Sequence, residues 1–250
     1  MDDFFIEIKS KNKYTLNDVK LSNYIVDNIP EYDLHTNPII NDEDIYPIKN
    51  CEYFSLTKRN KRETLIYTGK QLINVYPIIL DHIHFLKKHN IVHANIQPKN
   101  IEIHKDNQIL LSNFEHSFLT TIKITAFNKY IPDNYLWPIQ VHLLCYVTEN
   151  EIKSISSFHL NFICKNYITA LDNTKVFEPI ILENYEKNIW SFLSLFENKH
   201  YNDLQECIEN LDEYSLNIVY YILLFNDKDK DKSIAKFREK LLTSFPFYSF

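Results

Sequence analysis

The residues from Ile91 to Leu119, IVHANIQPKNIEIHKDNQILLSNFEHSFL, constrain the fold more than any other stretch of the chain. They run as apolar approach, polar loop, short strand, turn at Lys105-Asp106-Asn107, second strand and polar tip. Ile101 and Ile103 alternate with Glu102 and His104, and Ile109 to Leu111 is a short apolar run; each pattern predicts a brief strand beside a tight turn. Upstream, Leu72, Val75, Ile79, His82, Ile83 and Leu86 recur at helical spacing across Gln71 to Asn90. Lys87, Lys88 and His89 suit the negative end of that helix. Helix, loop, two-stranded ribbon and loop together put polar residues at both ends of one hairpin.

Those polar residues carry a family resemblance. His93-Ala94-Asn95-Ile96-Gln97-Pro98-Lys99-Asn100 followed by Asn113-Phe114-Glu115 resembles the core of eukaryotic-type protein kinases, where H-R-D-x-K-P-x-N is followed by D-F-G. The match lies in order, spacing and flanking apolar pattern; of the reactive positions only Asn100 keeps its identity. By this resemblance His93 and Phe114 are packed structural residues, and Asn100 is an amide bracing the loop.

The departures bear on chemistry. Phosphoryl transfer needs metal ions to neutralise the triphosphate and a carboxylate beside the attacking hydroxyl. The residue at the base position is Asn95, a neutral amide, and a general base contributes about 10²–10⁴-fold. Asn113 stands where a carboxylate holds magnesium, a hard cation that favours anionic oxygen. Gln97 stands where a lysine balances phosphate charge, and Glu115 where the motif has glycine.

Glycine use sharpens the reading. Kinases cover the ATP phosphates with G-x-G-x-x-G because only glycine lets backbone approach so closely, and Gly69 is the sole glycine of this chain. It falls where the resemblance puts the hinge, so Gly69 and Tyr67 are the candidate nucleotide contacts there. Only eight residues precede Lys9, which leaves no strands for a glycine-rich cover. Phe4 to Lys9 reads as a strand faintly similar to V-A-I-K; Lys9 is then either the phosphate-pairing lysine or an exposed residue ending a strand. Leu16 to Ile29 predicts a helix stopped by Pro30, with no Glu between Ser10 and Pro30 to pair with Lys9. Asp44 to Cys51 and Thr64 to Thr68 read as strands around a basic turn, Lys58 to Arg62.

Beyond Leu119, Trp137-Pro138-Ile139-Gln140 resembles the A-P-E that closes the activation segment, with Gln in place of Glu. Helical patterns follow at Ile139 to Val147, Ile155 to Leu171 and Ile180 to Phe196. Leu211-Asp212-Glu213-Tyr214-Ser215-Leu216 resembles the D-x-W-S-L-G opening the buried central helix of the kinase large lobe, which makes Asp212 the structural anchor of the 93–95 loop. Leu216 to Phe225 is apolar all round, as a buried helix requires. This order of motifs is more similar to the kinase-like proteins of large nucleocytoplasmic DNA viruses than to cellular kinases.

Composition bounds the rest. With 250 residues, 45% apolar, the chain can bury a large core. Its net charge of −6 argues against nucleic-acid and anionic-membrane partners. Cys51, Cys145, Cys164 and Cys207 form no C-x-x-C pair, which points to a reducing compartment and away from zinc. The acidic start lacks a signal-peptide layout, so secretion is not expected. Asp227, Asp229 and Asp231 alternate as in a calcium loop, but Lys232 and Arg238 occupy the glycine and bidentate-Glu positions. His82, His84, His89 and His93 crowd one stretch, yet 82 and 84 face different ways on a helix.

The expected fold is α+β and kinase-like, with a reduced small lobe over 1–68 lacking the glycine-rich strands and a mostly helical large lobe over 69–250. The expected function is that of a pseudokinase, with no catalytic residue, metal or cofactor. It would bind a protein partner (a host or viral kinase, a kinase substrate or a virion protein) in host cytoplasm or a virion. The alternative is a divergent serine/threonine kinase using ATP and magnesium. A third class, a helical structural protein, would lack the loop–hairpin–loop at 93–115.

Overall fold

The computed structural model describes residues 68–101, 111–120, 129–197, 210–227 and 231–243, together with positions 17, 20, 21, 24, 25, 28 and 29 and the backbone of 36–40, 45–49, 53–55, 102–104 and 109–110. Among the described residues the chain is α+β and mostly helical. It divides into two compact units, one of residues 1–67 and 74–122, the other of 68–73 and 123–250. That division differs from the expected 1–68 and 69–250. The hairpin stretch groups with the segment before it because strand pairing crosses position 68: β3 (Tyr53–Ser55) lies antiparallel to β5 (Ile101–His104).

In the first unit, positions 17, 20, 21, 24, 25 and 28 are helical, with Leu21, Ile25 and Ile29 buried and Asn28 exposed, as the pattern over 16–29 predicts. β1 (Thr36–Ile40) and β2 (Ile45–Lys49) form a separate antiparallel pair in which Pro38 faces Pro47. The expectation that Asp44 to Cys51 and Thr64 to Thr68 are the neighbouring strands is corrected in part: β2 takes β1 as its partner, and Thr68 is not in a strand. Residues 64–67, the basic turn at 58–62 and the expected strand at Phe4 to Lys9 lie outside the described residues.

Helix α1 (Gly69–Lys88) starts on a reciprocal cap. The Thr68 N–H donates to Gln71 Oε1 at 2.8 Å, and the Gln71 N–H donates back to Thr68 Oγ1 at 3.4 Å. Val75, Ile79, Ile83 and Leu86 form its buried stripe within the first unit. Pro77 lies on the exposed side, where its missing N–H is tolerated. The helix ends at Asn90, whose φ of 61° is left-handed, a conformation asparagine adopts more readily than most residues.

Four short elements complete the ribbon. β4 (Ile91–Val92) pairs antiparallel with β7 (Phe118–Leu119), and the Thr120 N–H extends that ladder to the Asn90 carbonyl at 2.8 Å. Between them β5 pairs with β6 (Ile109–Leu111), matching Ile101 with Leu111 and Ile103 with Ile109. The expected turn at 105–107 lies outside the described residues.

The second unit is helical: α2 (Ile139–Glu149), α3 (Ser157–Asn173), α4 (Pro179–Leu193) running into a short turn at Ser194–Phe196, α5 (Leu211–Phe225) and α6 (Lys232–Thr243). Pro179 opens α4, the helical position where its ring costs least. α5 is buried on almost every face, from Leu211 and Asp212 through the unbroken run Tyr214 to Tyr221. The hydroxyls of Tyr167, Tyr185 and Tyr214 meet in that core, Tyr214 bonding both of the others. Removal from water raises all three phenols well above their usual range. Among the described residues no helix is long and apolar enough to cross a membrane.

Candidate functional site

The residues singled out in the sequence meet inside the first unit, at the ends of the β5–β6 hairpin. His93 follows β4 and is fully buried. Its Nε2 lies 3.1 Å from the Ser112 carbonyl, which assigns the proton to that nitrogen. Its ring meets Phe114 edge-on, centroids 4.7 Å apart at 62°. Its own carbonyl accepts a hydrogen bond from Ser117 Oγ at 2.7 Å. Burial holds the imidazole neutral, pulling its pKa down to about 3. His93 is therefore a packing residue tying together the two loops that flank the hairpin.

Backbone strain marks both loops. Ala94 has φ 57° and Asn113 has φ 68°, left-handed conformations that cost an ordinary residue about 1 kcal/mol. In a chain with one glycine they fall to alanine and asparagine instead. Glu115 has no such difficulty. It is the middle residue of a 3-10 turn, Phe114–His116, a backbone that any L-residue adopts.

Four neutral amides form a closed network. Asn95 Nδ2 donates to the Asn113 carbonyl at 3.3 Å, and Asn95 Oδ1 accepts from Gln97 Nε2. Asn100 Nδ2 donates to the Asn95 carbonyl at 2.8 Å, while Asn100 Oδ1 accepts from Asn113 Nδ2 at 3.5 Å. Asn95 and Asn100 are buried. Of the other two side-chain oxygens, Asn113 Oδ1 is buried without a hydrogen-bond partner among the described residues. Amides at this spacing brace the loop but offer neither a proton acceptor near neutral pH nor negative charge for a divalent cation. Among the described residues no group of three or more His, Cys, Asp or Glu could hold a metal.

A fifth amide was not legible beforehand. Asn17 Nδ2 points at the carbonyls of Phe114, Glu115 and Ser117, at 3.2, 2.9 and 2.9 Å. An asparagine in the first helical stretch thus fixes the turn after Asn113. Nothing in the local pattern of Leu16 to Ile29 distinguishes Asn17 from a solvated helix residue.

The other singled-out positions are dispersed. Lys9 and Tyr67 lie outside the described residues. Gly69, in the second unit, is buried, and a Cβ there would collide with Ile234 Cδ1 and lie 2.6 Å from Asp227 Oδ2. Its small size is thus explained by packing. Asp212 is buried in the first turn of α5, where an acidic side chain suits the helix dipole. Asp231 pairs with Lys70 at 2.7 Å and accepts from the Ser233 N–H and hydroxyl at the start of α6, which is capping rather than calcium ligation.

No protein-family model matches this chain, and no curated protein matches it either.

Proposed function

We propose that the chain is a catalytically silent protein of kinase-like fold that acts by binding another protein. The observation that carries the reading is the amide network. The residues at the base and metal positions of the resemblance, Asn95 and Asn113, are joined to each other and to Gln97 and Asn100. A catalytic carboxylate must face its substrate with a free lone pair; here the Asn95 oxygen is taken by Gln97 and its nitrogen by a carbonyl. The partner in this reading is a kinase, a kinase substrate or a virion protein. The likeness of motif order to kinase-like proteins of large DNA viruses favours host cytoplasm or virion as the setting.

The direct test is radiolabelled phosphate transfer from ATP to generic protein substrates with magnesium or manganese present. The proposal expects incorporation equal to the protein-free blank. Transfer above blank that disappears in Asn95→Ala would establish a divergent serine/threonine kinase instead.

A further inference from the structure

Helix α3 carries two apolar stripes where an ordinary surface helix carries one. Leu160, Ile163, Cys164 and Tyr167 are buried in the core of the second unit. Phe158 and Phe162, one turn apart on another face, are 72% and 41% exposed. These two rings belong to a continuous aromatic series. Tyr146 of α2 lies 5.4 Å from Phe162 and 5.9 Å from His159, and His159 lies 6.0 Å from Phe158. Tyr130, in the loop before α2, meets Tyr146 edge-on at 5.2 Å and Phe162 at 6.4 Å. Tyr130, Tyr146 and His159 are half-buried.

Size, charge and hydrogen bonding say what such a face can hold. Aromatic side chains cover about 150–250 Å² each, so the two phenylalanines leave about 200 Å² of ring surface in water, to which the other three rings add. A stable interface between folded proteins needs about 800 Å² per partner, so a second copy of the chain finds too little here and a short peptide segment finds enough. The exposed charges nearest in sequence to the rings are balanced: Lys129, Lys153 and Lys165 against Asp133, Glu149 and Glu151. The face therefore selects neither an acidic nor a basic segment. Its polar groups are donors. The Tyr130 hydroxyl accepts from Asn166 Nδ2 at 3.4 Å, which leaves its own proton to donate. His159 Nδ1 accepts from the Ser156 N–H at 3.2 Å, which puts the ring proton on Nε2.

We propose that this face binds a short proline-rich segment of a partner protein, its prolines packed on the rings of Tyr130, Tyr146, Phe158 and Phe162. Proline has no N–H, so such a segment presents uncharged rings and carbonyl acceptors, the complement of an aromatic face edged with donors. Its extended helix is already formed before binding, which keeps the ordering cost low on a small contact area. The site rests on the proposed function only in taking the partner to be a protein.

Fluorescein-labelled decaproline is titrated with the full chain and followed by anisotropy, beside a glycine–serine peptide and an amphipathic helical peptide of equal length. Saturable binding of decaproline alone is expected. Phe158→Ala, at a largely exposed position, and Phe162→Ala should each raise Kd about tenfold through loss of one ring. Tyr130→Phe keeps the ring, removes the donor and should raise Kd about threefold. Absence of saturable decaproline binding, binding of either control peptide as tight, or a Kd unmoved by Phe158→Ala and Tyr130→Phe would overturn the site. A dimer in sedimentation that Phe158→Ala dissociates would also overturn it, by giving the face to a second copy. Each of these failures leaves phosphate transfer at the blank, whereas failure of the proposed function appears as transfer above it.

Discussion

The side-chain nitrogen of Asn95 donates to the main-chain carbonyl of Asn113 at 3.3 Å, across 18 residues of sequence. This bond closes the two loops on one another and uses the atom that a carboxylate would replace. Asn95→Asp therefore does more than introduce a charge. It sets an anion against the Asn113 carbonyl in a buried place and removes a donor, which should destabilise the fold by about 1–3 kcal/mol. The expected outcome is a lower urea midpoint with no gain of phosphotransfer. Measurable kinase activity in Asn95→Asp would show the network to be a poised site.

Asn17 offers a sharper test of what holds the 114–117 turn. Asn17→Ala removes the amide that three carbonyls now share, of which Phe114 keeps a main-chain donor in the Ser117 N–H, and should cost about 1–3 kcal/mol. Asn17→Asp should cost more than Asn17→Ala, because a carboxylate facing three carbonyl oxygens is repelled as well as unbonded. Equal stability of the two variants in chemical denaturation would contradict the donor role.

Much of this arrangement was legible in the residues, and the failures have physical causes. α1, α3 and α4 followed from apolar spacing, because each buries one stripe, and α2 from a nearly continuous apolar run that is buried on most faces. The β5–β6 ribbon followed from alternation at Ile101 and Ile103. β1 was missed because Pro38 interrupts a run of five residues, and proline argues against a strand unless its rung needs no N–H. β3 was missed because three residues carry no periodicity. The convergence of His93, Asn95, Asn100 and Asn113 was readable from motif spacing. Asn17 was not, since its partners are main-chain carbonyls about a hundred positions away and main-chain acceptors leave no mark in sequence. α6 went unanticipated because Ile234, Leu241 and Leu242 are the only buried residues of its twelve, a weak stripe among charges.

Gly69→Ala should destabilise despite alanine's better helix propensity. The new methyl would strike Ile234 Cδ1 and crowd Asp227, and overpacking of a filled site costs about 1–3 kcal/mol against a propensity gain of at most about 1 kcal/mol. Thermal melts of Gly69→Ala alone and with Ile234→Val settle the cause: the second change should recover part of the loss. A Gly69→Ala protein as stable as wild type would mean that the neighbours yield freely.

Two buried histidines make stability depend on pH. Burial brings His93 down to about 3 and His142 to about 4, so the folded chain keeps both neutral while the unfolded chain takes up a proton on each near 6.5. Stability is then full above about pH 6.5 and is lost as pH falls toward 4, since the unfolded state binds more protons throughout that window. By pH 5 the loss should be about 2 kcal/mol from each histidine. Urea midpoints at pH 7 and pH 5 measure it, and His142→Phe should flatten the dependence. A midpoint unchanged between the two pH values would mean that neither imidazole is excluded from protonation.

Thermal shift with ATP, with and without magnesium, tests the proposed silence of the site most directly. Stabilisation by a ligand follows RT ln(1 + [L]/Kd), so micromolar affinity at millimolar ATP would add about 4 kcal/mol, a shift of several degrees. A network of neutral amides with no described metal cluster predicts little or no shift, and none that needs magnesium. A shift of several degrees at millimolar ATP that requires magnesium and vanishes in Asn113→Ala would contradict it.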